Sequence, residues 1–120
     1  MKVSEIQRVL DAKVYNEVDD EEELEVDYGY SCDLMSDVLA FAQNNDVLLT
    51  GTVNPQVIRT CQMVDIRVIV FVRAKSPTPE LIELATRADI LVMGTDHSLY
   101  VASSLLYQAG LPGEVIENDF

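Results

Sequence analysis

The 120-residue sequence predicts an α/β fold, a single three-layer domain with a mainly parallel sheet flanked by helices. Three observations lead there. The short apolar runs "VLLT" (47–50), "VIVFV" (68–72) and "ILVM" (90–93) lack polar alternation, as strands covered on both faces do. Each runs on into a helical pattern, over 55–64, 79–88 and 97–109. The stretches "LLTGT" (48–52) and "LVMGT" (91–95) write one strand end twice, each followed within two residues by an Asx side chain, Asn54 and Asp96.

The elements follow in order. Ser4 with Gln7 forms a capping box, and Val3, Ile6, Val9 and Leu10 give a first helix one apolar stripe that ends near Asp11. The segment "EVDDEEELEVD" (17–27) holds eight carboxylates in eleven residues, whose mutual repulsion makes its first half a solvated loop. From Leu24 the pattern alternates. Leu24, Val26, Tyr28, Tyr30 and Cys32 share one face and Glu25, Asp27, Gly29, Ser31 and Asp33 the other, which predicts a half-buried strand over 24–32 toward one side of the sheet. Ser36 caps a helix over 36–43. Asn54 and Thr78 cap the next two helices, with Pro55 and Pro79 in their first turns, and Gly110 closes the last helix before Pro112. The strand-to-helix crossovers are expected to be right-handed.

Composition removes several classes of function. A chain that is 48% hydrophobic suffices for one core over residues 1–120, burying roughly two-thirds of its unfolded surface. A net charge of −13, with eight Lys and Arg scattered along the chain, excludes a nucleic-acid partner. Without an apolar run of about eighteen residues or a signal peptide, no membrane association is expected, and the protein is placed in the cytoplasm. Cys32 and Cys61 lie in different elements and form no metal or cluster motif; Cys61, on an apolar helix face, reads as a buried reduced thiol. The acidic run lacks the glycine-bearing spacing of an EF-hand, so no metal site is assigned.

In open α/β sheets, ligands bind at the carboxyl ends of the strands, where helix N-termini offer unpaired N–H groups. Here those ends are 50–54, 73–78 and 94–98. Arg73 and Lys75 follow the "VIVFV" strand directly, so an anion is sought at this rim, although both would serve equally in surface ion pairs. Catalytic patterns are missing. There is no G-x-x-x-x-G-K-[ST] loop and no G-x-S-x-G elbow, and the phospho-acceptor arrangement of response regulators would need a lysine after the last strand. His97, the only histidine, adjoins Asp96 without a positioned serine or cysteine, which favours a capping and packing role. Tyr28, Tyr30, Leu99, Tyr100 and Tyr107 are more aromatic and apolar surface than one small core covers, which predicts a homodimer.

The run from "LLTGTVNPQVIRT" through "SLYVASSLL" (48–106) resembles the DRTGG domain, and "SCDLMSDVLAF" (31–41) is similar to its stand-alone members from anaerobic bacteria and archaea. The resemblance reaches from the first helix to about Gly110. The family is named for a Gly-Asp-Arg turn after one strand and a Thr-Gly-Gly turn after the next. This chain has Gly51-Thr52-Val53-Asn54 at the first and Val72-Arg73-Ala74-Lys75 at the second, while Thr95-Asp96 and Tyr100 to Ala102 agree with the family.

The resemblance implies regulation rather than catalysis. DRTGG domains sit between CBS domains in some pyrophosphatases that respond to adenine nucleotides, precede phosphotransacetylase domains, and resemble the non-kinase N-terminal domain of HPr kinase/phosphorylase. Stand-alone forms are encoded beside iron-only hydrogenase subunits. Two readings follow. In the first, a non-catalytic module without cofactor binds an adenine nucleotide or phosphate through Thr50, Gly51, Thr52, Asn54, Arg73, Lys75, Thr95, Asp96 and His97. In the second, a dimeric interaction module docks on a hydrogenase or other redox partner with no small ligand.

Overall fold

In the computed structural model, which describes residues 1–114, one five-stranded sheet organises the chain. In chain order the elements are α1 (Val3–Leu10), β1 (Lys13–Val14), a 3-10 turn (Glu21–Glu23), β2 (Tyr28–Ser31), α2 (Met35–Phe41), β3 (Asp46–Thr50), α3 (Pro55–Met63), β4 (Val68–Phe71), α4 (Pro79–Arg87), β5 (Leu91–Gly94) and α5 (Leu99–Gln108). The sheet order is β1-β5-β4-β3-β2. The β2 to β5 strands pair in parallel, and β1 joins β5 antiparallel, Lys13 opposite Gly94 and Val14 opposite Met93.

The apolar runs work as two interleaved faces. Val47, Leu49, Val68, Val70, Leu91 and Met93 point into one core against Ile6 and Leu10 of α1 and Ala102 and Leu106 of α5. Their neighbours Leu48, Ile69, Phe71 and Val92 point the other way, against Val38 of α2, Val57, Ile58 and Cys61 of α3, and Leu81 and Ala85 of α4. Both cores are dry. Each fully buried aliphatic or aromatic side chain there contributes about 1.5–3 kcal/mol relative to exposure, so the layered order follows from the alternation itself. Cys61 is buried as expected, and burial pushes its thiol up to about 12.

Two caps agree with the sequence reading. Asn54 Oδ1 accepts from Val57 N (3.3 Å) and Thr78 Oγ1 from Leu81 N (3.2 Å), each ahead of a proline at the helix start. Such caps contribute about 1 kcal/mol apiece. Four expectations are corrected. Ser4 does not cap α1, which starts at Val3; Val3 N donates instead to Leu24 O, and Lys2 bridges Glu25, so a tertiary contact supplies the acceptor. Ser36 does not cap α2, which starts at Met35 after Leu34. The α5 helix begins at Leu99, not 97, because Ser98 Oγ accepts from Val101 N; His97 lies before the cap.

The fourth correction concerns the strand expected over 24–32, of which only Tyr28–Ser31 joins the sheet. Val26 packs in the α1/α5 core and Tyr30 in the other, so the chain changes phase between them. The cause is the N-terminus. The Met1 ammonium donates to Val26 O and Val26 N to Met1 O, drawing 24–26 into a ribbon with the chain start instead of the sheet. The alternate face stays largely exposed as expected, at Glu25, Asp27, Ser31 and Asp33, with Ser31 Oγ meeting Ser103 Oγ of α5 at 2.6 Å.

Nothing in the sequence pattern marked β1. It is held by tertiary bonds: Tyr15 N donates to Val92 O, and the Asn16 amide imitates a strand backbone, accepting from Val92 N and donating to Ile90 O. The acidic loop that follows is clipped down by Arg67, which donates to Asp19 O and pairs with Asp89. No helix among the described residues is long and apolar enough to cross a membrane.

Asp46, at the start of β3, is buried with one carboxylate oxygen unpartnered and the other accepting from Gln43 N. Burial raises its pKa above the ordinary 3.8, and the Glu114 and Asp27 carboxylates add to the rise against the Gln43 bond. The native state therefore holds a proton that the unfolded chain has released in the window just above that value, so stability falls as pH rises through it. Asp46→Asn is expected to be more stable than the parent at pH 7, with the difference shrinking toward pH 4, as read by denaturant unfolding at several pH values. A variant less stable at pH 7 would contradict this.

Candidate functional site

The carboxyl ends of β2 to β5 lie along one rim, and the loops leaving them lock together through backbone bonds. Val72 N donates to Thr50 O, Arg73 N to His97 O (2.8 Å), Ala74 N to Thr95 O (3.0 Å) and Thr95 N to Phe71 O. Arg73 and Ala74 both take left-handed backbone conformations, φ 61° and 56°, to point successive N–H groups at the neighbouring turn. Residues with a Cβ resist that conformation by about 1–2 kcal/mol each, so this turn is strained and held by its surroundings.

On the β3 side, Asp33 occupies the centre. Its Oδ1 accepts from Gly51 N (2.7 Å) and Thr50 Oγ1 (2.9 Å), while its backbone carbonyl accepts from Thr52 Oγ1 (3.0 Å). A carboxylate thus stands where a bound anion would meet the strand end. The Arg73 guanidinium lies over Gly51, close enough that a Cβ there would sit 3.0 Å from one of its nitrogens, with the Asp33 oxygens at 3.6 and 3.7 Å. A side chain at Gly51 would therefore displace that cation by a few tenths of an ångström. Lys75 Nζ donates to Gly51 O at 2.6 Å.

On the β5 side the same lysine borders a cleft of about 330 Å³ between the 74–76 turn, the end of β5 and the start of β1. Thr95 forms its floor, buried, with its hydroxyl donated to Leu10 O (2.7 Å). The Tyr15 ring packs against Gly94, where a Cβ would come within 2.8 Å of it, and Lys13 Nζ stands 5.0 Å from the ring centroid, a cation–π distance. Asp11 and Asp96 are exposed at the cleft edge.

The residues expected at the site divide accordingly. Thr50, Gly51, Thr52, Arg73 and Lys75 gather around Asp33, and Lys75, Thr95 and Asp96 around the cleft. The Asn54 side chain is spent on α3, and His97 joins the rim through its backbone, its carbonyl accepting from Arg73 N and its N–H reaching Thr95 Oγ1 at 3.4 Å. Asp33, Lys13, Tyr15 and Asp11 escaped sequence reasoning. Asp33 carried a usable signal, a carboxylate two residues past the last residue of a parallel strand; the other three depended on an unforeseen β1.

Charge is unevenly spread. Among the described residues Arg8, Arg67 and Arg87 form ion pairs, and three of the five remaining cations, Lys13, Arg73 and Lys75, stand at this rim. A larger depression of about 430 Å³ near the acidic loop is lined by Glu17, Asp20 and Glu21 to Glu23, which repel an anion. No group of three or more His, Cys, Asp or Glu side chains among the described residues is arranged to hold a metal ion.

No family model matches the chain, and no curated protein is significantly similar to it. Among solved structures it is similar to the CBS and DRTGG domains of the regulatory region of Clostridium perfringens pyrophosphatase, crystallised with the activator diadenosine tetraphosphate. The TM-score is 0.77 at 21% identity, over 92% of this chain and 47% of that one. The chain thus spans about half the length of its structural neighbour. The likeness establishes a DRTGG-like fold.

Two outcomes follow from the rim. Asp33→Ala leaves the buried Thr50 hydroxyl and Gly51 N–H without their acceptor; a loss of roughly 1–3 kcal/mol in denaturant unfolding and faster amide exchange at Gly51 are expected. Ala74→Gly relieves one left-handed residue at the entropic cost of a glycine, so stability should rise by up to about 1 kcal/mol in the same assay. A fall would mean that the turn is not strained.

Proposed function

We propose that this domain is a non-catalytic regulatory module that senses a small anion, a nucleotide or phosphate, at the carboxyl rim of its sheet. The observation that carries the reading is the gathering at this rim of three cations free of ion pairs among the described residues, two of which, Lys13 and Lys75, line a cleft, in a chain of net charge −13. Long-range repulsion opposes any anion and is screened beyond about 8 Å at physiological ionic strength, so binding rests on these local donors and is salt-sensitive. The fold adds support, since its structural neighbour is a regulatory region whose activator is a nucleotide. His97 supports no hydrolytic reading, its imidazole meeting no carboxylate, serine or cysteine by hydrogen bond among the described residues.

A second reading, a dimeric interaction module, draws on the exposed Tyr100 (84%) and Tyr107 (71%) of α5 and Phe41 (63%) of α2. Tyr30, one of the residues that suggested it, is instead buried in the core. One experiment separates the two. Phosphate, AMP and ATP are added in a thermal-shift panel and followed by amide NMR. Sensing requires a raised melting temperature, with about 2.7 kcal/mol gained at a hundred times the dissociation constant, and shifts along 50–54, 73–78 and 94–98 that fade with salt. If none of the three has any effect, the interaction reading takes its place.

A further inference from the structure

Of the two halves of the rim, the β5 side opens into a cleft. Around Gly51 the donors are already satisfied by Asp33, and the Arg73 guanidinium covers the turn. The cleft on the β5 side is different in kind, for its walls bring two ammonium groups, an aromatic face and two carboxylates to one enclosure.

We propose that this cleft takes a nucleoside monophosphate, its phosphate held between Lys13 and Lys75 and its ribose hydroxyls donating to Asp96 and Asp11, with the nucleoside lying along Tyr15. The inference rests on the anion-sensing reading and assigns it a place and a ligand class. Size argues for the class. At about 330 Å³ the cleft lies at the lower end of ligand pockets, far larger than a phosphate ion needs and too small for a second nucleoside. Chemistry argues for the same answer. An inorganic anion has no use for acceptors such as Asp11 and Asp96, which would repel it, whereas vicinal hydroxyls donate to carboxylates. A dinucleotide such as the structural neighbour's activator would leave half of itself in solvent.

Position gives the site a route to regulation. Lys75 is the one residue shared by both halves, its Nζ bound to Gly51 O while its neighbours line the cleft. Turning that ammonium to a phosphate releases the Gly51 carbonyl, so occupancy of the β5 side is felt at the β3–α3 turn. Lys13 is carried by β1, the antiparallel strand at the far edge, so the ligand also ties the N-terminal segment to the rim.

The test is titration of the full chain, uniformly labelled with nitrogen-15, with AMP, adenosine, inorganic phosphate and diadenosine tetraphosphate. AMP should bind tightest and shift amides at 11–15, 74–76 and 94–96, with a secondary response at Gly51. Lys13→Gln and Lys75→Gln, both exposed positions whose unchanged spectra certify folding, should each weaken AMP about tenfold, with Arg73→Gln close to the parent. Shifts confined to 50–54 and abolished by Arg73→Gln would overturn the cleft while leaving anion sensing intact. Phosphate binding as tightly as AMP, or diadenosine tetraphosphate binding more tightly, would overturn the ligand class. No response to any of the four would remove both this inference and the reading beneath it.

Discussion

The two-sided burial of the three parallel strands β3, β4 and β5 is the constraint on which the rest of this structure depends. Strands whose successive side chains are apolar on both faces are stable only between two helical layers, and connecting them in parallel sends every crossover helix back across a face. The carboxyl ends of β2 to β5 then open on one side of the molecule. Polar chemistry excluded from the faces of the sheet is collected there: Thr50 and Thr95, the buried hydroxyls of the two strand ends, each satisfy themselves within the rim, one on Asp33 and one on Leu10 O. The rim follows from how the core is covered.

The same economy governs its electrostatics. Helix starts and strand ends present donors that attract an anion, and the chain has met part of that demand internally with Asp33. A fixed carboxylate stabilises the turn at any ligand concentration, and it also reserves the Gly51 side against phosphate. What remains available is the opposite half, where the lysines sit on side chains long enough to move.

How much of this was legible depends on the range over which each feature is decided. The runs at 47–50, 68–72 and 90–93, and the caps Asn54 and Thr78, are written in a few adjacent residues, and the structure reproduces them. Ser4 and Ser36 obeyed the same local grammar and failed, because contacts with Leu24 and the backbone of Leu34 set those helix caps two residues earlier, at Lys2 and Leu34. The 24–32 alternation misled for a similar reason: Met1 pulls Val26 out of the sheet's phase. At the rim, the residues directly after a strand were found. Lys13 and Tyr15 were not, since a two-residue strand has no period to read and its pairing with β5 spans most of the chain.

That long pairing bears on how the protein is made. The first helix and β1 emerge from a ribosome before every surface they pack on: α1 rests against α5, and β1 hydrogen-bonds to β5. Until β5 and α5 are in place, the core that Ile6 and Leu10 enter lacks Leu91, Met93, Ala102 and Leu106. The first helix and strand must therefore wait for the last strand and helix of the domain, so the fold closes only once β5 and α5 are available. A holdase that shields the apolar stripe of α1 during that interval would act on the segment most exposed to misassociation.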